Sequence, residues 1–279
     1  MKIALGTVIY SQARPYLQEL LDSVTGQIDK DFDFLVVNDN YPLKELEKLD
    51  LSTMSRISLV DGHGKNLTPG LLRVELIKAA KDRGEDLLIV ADADDTFVST
   101  KVQAYRKAFC LDKKYAFYYN DLVVKSNSNS LTQVLEDLPQ ETCHIRQISQ
   151  CNYLGMSTTA INLNALSYDF IESLRQGDTR IFDWYLFSRI LMDIGPGCHV
   201  SGAETIYRIH PGNIVGVSHD VAQEREVKLT HYKNLAKTYP YFAYLYDKMK
   251  DLDISTIDTS KCRQGYWWSN ILMEDSYEI

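Results

Sequence analysis

The sequence predicts an α/β sandwich in which helices cover both faces of a mostly parallel central sheet. Short apolar runs alternate with amphipathic stretches through the first hundred residues. Such alternation requires right-handed crossovers between parallel strands. The second observation is the apolar run at 87–91, which leads directly into three carboxylates. Consecutive apolar residues bounded by polar ones are typical of a strand that is buried on both faces.

Periodicity and capping residues place the elements in order. Apolar residues follow Pro15 at helical spacing, and proline is favourable in a first helical turn. Thr68 and Pro69 mark a second helix start, a capping residue followed by proline. Strands are predicted over 2–9, 33–38, 56–60 and 86–91, and helices over 15–26, 42–49 and 68–83.

The later part of the chain is predicted to be less regular. A helix is expected over 98–111 and a strand over 115–124, and the polar stretch 125–142 predicts a loop or a hairpin tip. Short elements follow over 150–216, and from 220 an amphipathic helix leads to a tyrosine-rich tail. The predicted organisation is one domain over 1–216, with halves 1–100 and 101–216, and a helical, aromatic-rich C-terminal extension over 217–279.

The composition is that of a globular protein with an acidic balance. The 279 residues carry a formal net charge of −8, so the overall field repels polyanions and no nucleic-acid partner is expected. The five cysteines lack C-x-x-C spacing, which predicts buried, reduced thiols in a reducing compartment. The sequence has no signal-peptide pattern and no apolar run near the ~18 residues of a membrane span. We therefore predict a cytoplasmic location.

Asp92, Asp94 and Asp95 follow the apolar run directly. In open α/β sheets the carboxyl ends of the strands line the crevice where ligands bind. Alternation along an extended segment predicts that Asp92 and Asp94 point to the same side. Two convergent carboxylates make a hard oxygen site for Mg²⁺ or Mn²⁺, which commonly binds together with a phosphate group. The alternative interpretation of this short motif is a solvated acidic turn.

Further positions carry chemistry, each with an ordinary alternative. Asp39 ends the second predicted strand, where Asn-Asp-Asn is also a favourable turn. Arg73 lies early in a helix near the expected place of a diphosphate, or is simply an exposed arginine. Asp183 begins an aromatic helix and is either a general base or a helix cap. Arg208 and His210 share one side of a predicted strand, which suits a diphosphate or a metal.

Together these motifs resemble the inverting family 2 glycosyltransferases with a GT-A fold, the kind that builds bacterial surface polysaccharides. The resemblance covers about residues 1–216. Phe182 stands where the family has a glutamate, Val74 replaces an asparagine, and the usual Gly-Ser after the first acidic pair is absent. The segments that carry the resemblance are 8–11, 38–40, 70–73 with 79–80, 92–95, 120–121, 155–159, 182–184 and 207–216.

The resemblance implies transfer of a single sugar from a nucleotide-sugar, by default a UDP-sugar, to a hydroxyl of a saccharide or lipid-linked acceptor. The first half of the domain would bind the nucleotide and the second half the acceptor. It implies Mn²⁺ or Mg²⁺ on Asp92, Asp94 and Asp95, with Asp183 as the base that deprotonates the acceptor. The donor would contact Tyr10, Asp39, Arg73, Asp92, Ser157, Arg208 and His210.

Other classes of protein are compatible with parts of this pattern. The segment from Asp92 to Thr96 fits the D-x-D-x-T motif of haloacid-dehalogenase-type phosphatases. Those enzymes carry the motif on their first core strand and need a late acid pair, and this sequence shows neither. A sugar nucleotidyltransferase would have a glycine-rich, lysine-bearing loop after its first strand, which is missing here. Phe182 leaves open a nucleotide-sugar-binding protein without catalysis.

The aromatic C-terminal region is the least specific part of the sequence. Segment 264–268 is close to the Q-x-x-R-W motif of processive members but has a tryptophan in place of the arginine, so we expect single-sugar transfer. The pair Trp267-Trp268 and the tyrosines of 239–246 have three interpretations. They pack in the core, form a homodimer contact, or lie against a lipid-linked acceptor at the inner face of the membrane.

Overall fold

The fold is seen in a computed structural model, which describes residues 1–46, 56–61, 67–125, 131–135, 137–177, 179, 181–208, 220–263 and 265–277. Two β-sheets lie within this part of the chain. The strands are β1 (Ile3–Tyr10), β2 (Asp33–Asp39), β3 (Ile57–Asp61), β4 (Leu87–Ala91), β5 (Thr96–Phe97), β6 (Phe117–Tyr119), β7 (Leu122–Lys125), β8 (Leu131–Gln133), β9 (Glu141–Thr142), β10 (Thr159–Asn162), β11 (Gly197–His199) and β12 (Thr205–Tyr207).

The helices lie between these strands and after the last of them. The helix that follows Pro15 begins at Leu17, and the helix capped by the Thr68 hydroxyl begins at Pro69 as predicted. The helices are α1 (Leu17–Thr25), α2 (Leu43–Leu46), α3 (Pro69–Asp82), α4 (Lys101–Leu111), α5 (Tyr168–Ser173), α6 (Phe182–Asp193), α7 (Val221–Ala236) and α8 (Pro240–Asp251).

The larger sheet has eight strands in the order β3-β2-β1-β4-β10-β6-β11-β9. Strands β1 to β4 are parallel to one another, and β10 is antiparallel to both of its neighbours, β4 and β6. Every residue of β4 is buried, as expected for a strand covered on both faces. The predicted α/β sandwich with a mostly parallel sheet is confirmed.

The smaller sheet has the order β5-β12-β7-β8 and brings distant segments to the acidic motif. Strand β5 begins directly after Asp95 and pairs with β12, with Ile206 opposite Thr96. The residues that follow β12 therefore start beside the three carboxylates. This pairing places the chain near 208 at the carboxyl end of β4.

The strand predicted over 115–124 is two strands that belong to different sheets, β6 in the larger and β7 in the smaller. The chain changes sheet at Asn120, whose backbone N–H donates to the Thr158 carbonyl at 2.9 Å. Apolar residues continue on both sides of this point, so hydrophobicity alone does not reveal it. The predicted burial of the cysteines was also wrong for Cys110, Cys143 and Cys262, which are exposed free thiols.

Two apolar layers cover the larger sheet. One layer joins the sheet to α1 and α4. The other joins it to α3, α5 and α6, and also takes in buried residues of α7, α8 and Trp268. The tyrosine-rich tail forms α8, and the Trp268 side chain is buried, so core packing accounts for both. No helix within the described residues is long and apolar enough to cross a membrane. The boundary at 216 stays a prediction.

Candidate functional site

The three carboxylates lie on a tight turn at the carboxyl end of β4. The strand ends at Ala91, and the N–H of Asp95 donates to the carbonyl of Asp92 at 3.2 Å. The chain is therefore not extended here, and the alternation argument for Asp92 and Asp94 does not apply. The two side chains still interact, because Asp94 contributes to the raised pKa of Asp92.

Asp92 forms an ion pair with Arg73, whose Nη2 lies 2.9 Å from Oδ1 of the carboxylate. Burial raises the pKa of Asp92, and Arg73 opposes that rise. The first turns of α3 and α6 are in close contact, since a Cβ atom on Gly70 would lie 3.0 Å from the Phe182 ring. This packing places Arg73 beside the acidic turn. The alternative interpretation in the sequence analysis was that Arg73 is simply an exposed arginine.

Asp183 lies in the first turn of α6, on the same side of the sheet as Arg73. Its Oδ1 accepts the N–H of the next residue, Trp184, at 2.6 Å, whereas the N-cap residue of α6 is Ile181. Burial raises the pKa of Asp183 to about 6, while Arg73 opposes the rise and Asp92 adds to it. The carboxylate thus lies within electrostatic reach of both partners of the Arg73–Asp92 ion pair.

Asp95 and Arg208 close the opposite side of the turn. The Asp95 side chain is 3% exposed and accepts the backbone N–H of Arg208 at 3.1 Å. Burial raises the pKa of Asp95 well above its ordinary value, and Asp92 and Asp94 add to the rise. The Arg208 guanidinium donates to the Asp94 carbonyl at 3.0 Å and to Glu19 at 2.5 Å.

Arg208 lies one residue beyond β12, not within the predicted strand. Its guanidinium carbon also lies 4.9 Å from the centre of the Tyr16 ring. Arg208 thereby links the acidic turn to α1, which carries Glu19. His210, which the sequence analysis places beside Arg208, lies outside the described residues.

Tyr10 and Asp39 end two neighbouring strands and are paired in register. Burial raises the pKa of the Tyr10 hydroxyl, with Asp94 and then Asp92 as further causes, so this hydroxyl faces the acidic turn. The Asp39 carboxylate is half-buried and accepts the Asn40 side-chain amide at 3.0 Å. Asn40 has a φ of 55°, which turns the chain away from the sheet after Asp39.

Two residues that the sequence analysis did not select also face this cluster. Burial raises the pKa of Tyr207, and the nearby carboxylates that add to it are, in decreasing order, Asp95, Asp94, Asp92 and Asp183. Lys101 on α4 is fully buried, and its ammonium group donates to oxygens of Asn120, Ser157 and Thr205.

The side chains fit a divalent cation that binds together with a phosphate. Among the described residues, no three His, Cys, Asp or Glu side chains are arranged to hold a metal by themselves. Magnesium in phosphate sites commonly takes only one or two carboxylates and completes its shell with phosphate oxygens and water. Burial and neighbouring carboxylates raise the pKa values of Asp92 and Asp95. A bound cation offsets such a concentration of negative charge.

The fold defines a structural class. The large, mostly parallel sheet with helices on both faces matches the GT-A fold of glycosyltransferases, and this chain has that fold. No protein-family model matches the sequence, and neither does any curated protein sequence. The fold predicted from the motifs is therefore supported by structure and not by sequence similarity.

Solved glycosyltransferases share this fold. S. aureus TarS 1-349 in complex with UDP matches with a TM-score of 0.59 and 14% identity, over 92% of this chain and 74% of that one. TarS 1-349 in complex with UDP-GlcNAc matches with a TM-score of 0.57 and 12% identity, over 89% and 72%. The mannosyltransferase PcManGT from Pyrobaculum calidifontis, in complex with GDP-Man and Mn²⁺, matches with a TM-score of 0.57 and 11% identity, over 89% and 69%.

Proposed function

We propose that this protein is an inverting glycosyltransferase that moves one sugar from a nucleotide-sugar to an acceptor hydroxyl. The observation that carries the proposal is the grouping of Arg73, Asp183 and the acidic turn 92–95 at one edge of the sheet. The structures with the same fold hold UDP, UDP-GlcNAc, or GDP-Man with Mn²⁺. UDP is the nucleotide we expect first.

The order of the strands orients the donor along this edge. Asp39 ends β2, Tyr10 ends β1 and the acidic turn follows β4, and these strands are neighbours in the sheet. We assign Asp39 and Tyr10 to the nucleoside, and Arg73 and Arg208 to the diphosphate. Asp92, Asp94 or Asp95 would hold Mn²⁺ or Mg²⁺, which would supply positive charge where the leaving group becomes negative.

Asp183 is the residue that we assign as general base. As the acceptor oxygen bonds to the anomeric carbon, its proton passes to a carboxylate oxygen of Asp183. The bond between the anomeric carbon and the diphosphate oxygen breaks, and the nucleoside diphosphate leaves on the opposite side. A pKa near 6 keeps this carboxylate ionised at neutral pH while making it a stronger base than an exposed aspartate.

The acceptor and the cellular setting are proposed from the sequence resemblance. We propose a saccharide or lipid-linked acceptor of bacterial surface-polysaccharide synthesis, and a cytoplasmic protein that works at the inner face of the membrane. The partly buried Trp267 and neighbouring aromatic residues are the surface on which we place a peripheral membrane contact or a homodimer contact. Among these assignments, only the nucleotide can be tested without knowing the acceptor.

The first test is calorimetric titration of UDP, dTDP and GDP into the protein with Mn²⁺, and again with EDTA. We expect one nucleotide to bind in the presence of Mn²⁺, and we expect Asp94→Ala to weaken that binding at least tenfold. Asp247→Ala, which removes an exposed carboxylate on α8, is the matched control and should bind as wild type does.

Absence of binding for all three nucleotides contradicts the proposal. The alternative to test next is the phosphatase chemistry that the D-x-D-x-T pattern suggests. That alternative has less support, because the acidic turn follows the fourth strand and those phosphatases carry the motif on their first core strand.

A further inference from the structure

A buried hydrogen-bond cluster lies beside the acidic turn, and Ser157 is its one member that is assigned above to the donor. Its centre is Lys101, the first residue of α4, with a side chain that is 0% exposed. The Lys101 ammonium donates to the Ser157 carbonyl at 2.9 Å, to the Thr205 hydroxyl at 2.7 Å and to the Asn120 side-chain oxygen at 3.1 Å. All three acceptors are neutral oxygens, so the ammonium has no direct carboxylate partner among its hydrogen bonds.

Tyr105 repeats the contact one helical turn later. Its hydroxyl lies 2.5 Å from the Asn120 side-chain oxygen and 3.0 Å from the Thr158 carbonyl, and its one proton is shared between these two acceptors. Positions i and i+4 of a helix lie on one face, one above the other. The two side chains of α4 therefore hold two consecutive carbonyls of the short turn at Met156–Thr158, called here the Ser157 turn.

The Ser157 turn lies where the sugar of a nucleotide-sugar would extend. Along the sheet the order is β2, β1, β4 and β10, and the Ser157 turn leads directly into β10. With the nucleoside at the end of β2 and the diphosphate at the end of β4, the next position is this turn. The Ser157 side chain is buried beside the Asp95 carboxyl, and its hydroxyl opposes the raised pKa of that group.

We propose that Lys101 and Tyr105 are positioning residues that fix the Ser157 turn and thereby set how tightly the sugar part of the donor is bound. This inference rests on the proposed function for the identity of the ligand, but the positioning itself does not depend on it. Each carbonyl also accepts one further bond, from the Thr205 hydroxyl at 2.6 Å for Ser157 and from the Asn120 N–H at 2.9 Å for Thr158. Lys101 and Tyr105 therefore supply the second of two buried bonds to each carbonyl, and together these bonds leave the turn few alternative conformations.

The first measurement follows the turn itself, without any ligand. Hydrogen–deuterium exchange is measured on peptides that cover 155–160 and on the amide of Asn120, which donates to the Thr158 carbonyl at 2.9 Å. We expect Lys101→Met and Tyr105→Phe each to speed exchange in these peptides about tenfold or more. Tyr105→Phe keeps the ring and removes only the hydroxyl, so it remains informative if Lys101→Met fails to fold.

Lys81→Met is the matched control for this measurement. Lys81 on α3 also donates to the carbonyl of a short turn, that of Leu163 at 2.8 Å, but this turn lies after β10 and away from the acidic turn. We expect Lys81→Met to leave exchange over 155–160 unchanged. Unchanged exchange in both Lys101→Met and Tyr105→Phe overturns the proposal.

The second measurement compares a nucleoside diphosphate with its nucleotide-sugar, both with Mn²⁺. In the wild type the sugar should add affinity; in Tyr105→Phe, which keeps the Lys101 charge, diphosphate affinity should stay within about twofold while the gain from the sugar falls about tenfold. A merely structural lesion would weaken both ligands together. Faster exchange with an intact gain from the sugar overturns the link to the donor, whereas a wild type that binds no nucleotide contradicts the proposed function and leaves the positioning result standing.

Discussion

Two buried lysines in this protein, Lys228 and Lys101, have different kinds of interaction partner. Lys228 on α7 lies 3.0 Å from the Glu224 carboxylate, and both side chains are 0% exposed. Glu224 also accepts the backbone N–H of Ile271 at 2.9 Å, so the pair fixes the C-terminal segment onto α7. Lys101 has the same burial but only neutral oxygens as hydrogen-bond acceptors.

The difference shows which of the two charges belongs to a site. Burial lowers the pKa of Lys228 too, but the group that opposes this is its direct partner Glu224, one turn away on the same helix. The groups that counter the burial of Lys101 are Asp95, Glu204 and Asp92 in decreasing order, and burial still lowers the pKa of Lys101 to about 7. Two of these three carboxylates lie on the acidic turn. The burial of Lys228 is thus explained by its structural ion pair with Glu224. The charge of Lys101, in contrast, interacts with carboxylates of the candidate site, so Lys101 is electrostatically part of that site.

The largest effect we predict is that of changing Asp183, which should lower activity without lowering stability. Asp183→Asn removes the base while keeping the shape, and we expect a loss of about 10²–10⁴-fold in kcat with nucleotide affinity retained. Stability to urea should not fall, because a buried carboxylate with a raised pKa becomes a neutral amide. Steady-state kinetics and urea unfolding on the same preparations measure both quantities.

Asp169→Asn is the control for Asp183→Asn, since Asp169 is an exposed carboxylate in the first turn of α5. We expect it to leave kcat unchanged. If Asp183→Asn retains full kcat and only lowers stability, Asp183 is a helix cap and the assignment of the base is wrong. In wild type, kcat/KM should fall about tenfold per pH unit below about pH 6, the pKa of Asp183, because the protonated carboxyl cannot accept the acceptor proton.

The second prediction concerns the ion pair of Lys228 with Glu224, where we expect a substitution to lower stability and to leave activity unchanged. Lys228→Met leaves the Glu224 carboxylate buried without its cation, and we expect a loss of about 3–5 kcal/mol in the free energy of unfolding. The folded fraction should retain the wild-type kcat, since the pair contacts no candidate-site residue within the described part of the chain. Urea unfolding followed by tryptophan fluorescence measures the stability.

The double variant Glu224→Gln/Lys228→Met tests the cause of that loss. Removing both charges should recover most of the stability, because the cost lies in one unpaired buried charge and not in the missing contact. If the double variant is as unstable as Lys228→Met, the loss comes from packing around α7, and the electrostatic comparison of the two lysines fails.

The sequence was sufficient to predict the fold and the charged residues that follow strands or lie near the starts of helices. Buried runs and helical spacing are local signals, which is why β4, α3 and α6 were found together with Asp92, Arg73 and Asp183. The grouping of these residues follows from parallel strands that end at one edge of a sheet. The assignment of the bound ligand still rests on the resemblance to a family.

Lys101 was missed because its contacts are all distant in sequence. Its three acceptors lie 19, 56 and 104 residues away, on segments that only the two sheets bring together. Local pattern predicts that a lysine in the first turn of a helix faces solvent, since lysine is rarely fully buried. The same lack of local signal explains why the change of sheet at Asn120 was predicted as continuous strand.

The smallest effect we predict lies at the opposite edge of the larger sheet, where Glu85 precedes β4 and Asp33 begins β2. Burial raises the pKa of Glu85 to about 7, and its hydrogen bond with the Asp33 carboxyl adds to the rise. The folded protein therefore holds a proton that the unfolded chain releases near the ordinary glutamate pKa of 4.5. Stability should fall as pH rises between these two values and should not depend on Glu85 below or above them.

We expect Glu85 to contribute about 1–3 kcal/mol to the loss of stability between pH 5 and pH 7.5. Asp183 and the acidic turn have raised pKa values as well and contribute in the same direction, so the wild-type curve alone does not isolate Glu85. Glu85→Gln should flatten the curve by its share, while Glu226→Gln, an exposed control on α7, should not. An unchanged pH dependence in Glu85→Gln would mean that Glu85 is ionised in the folded state.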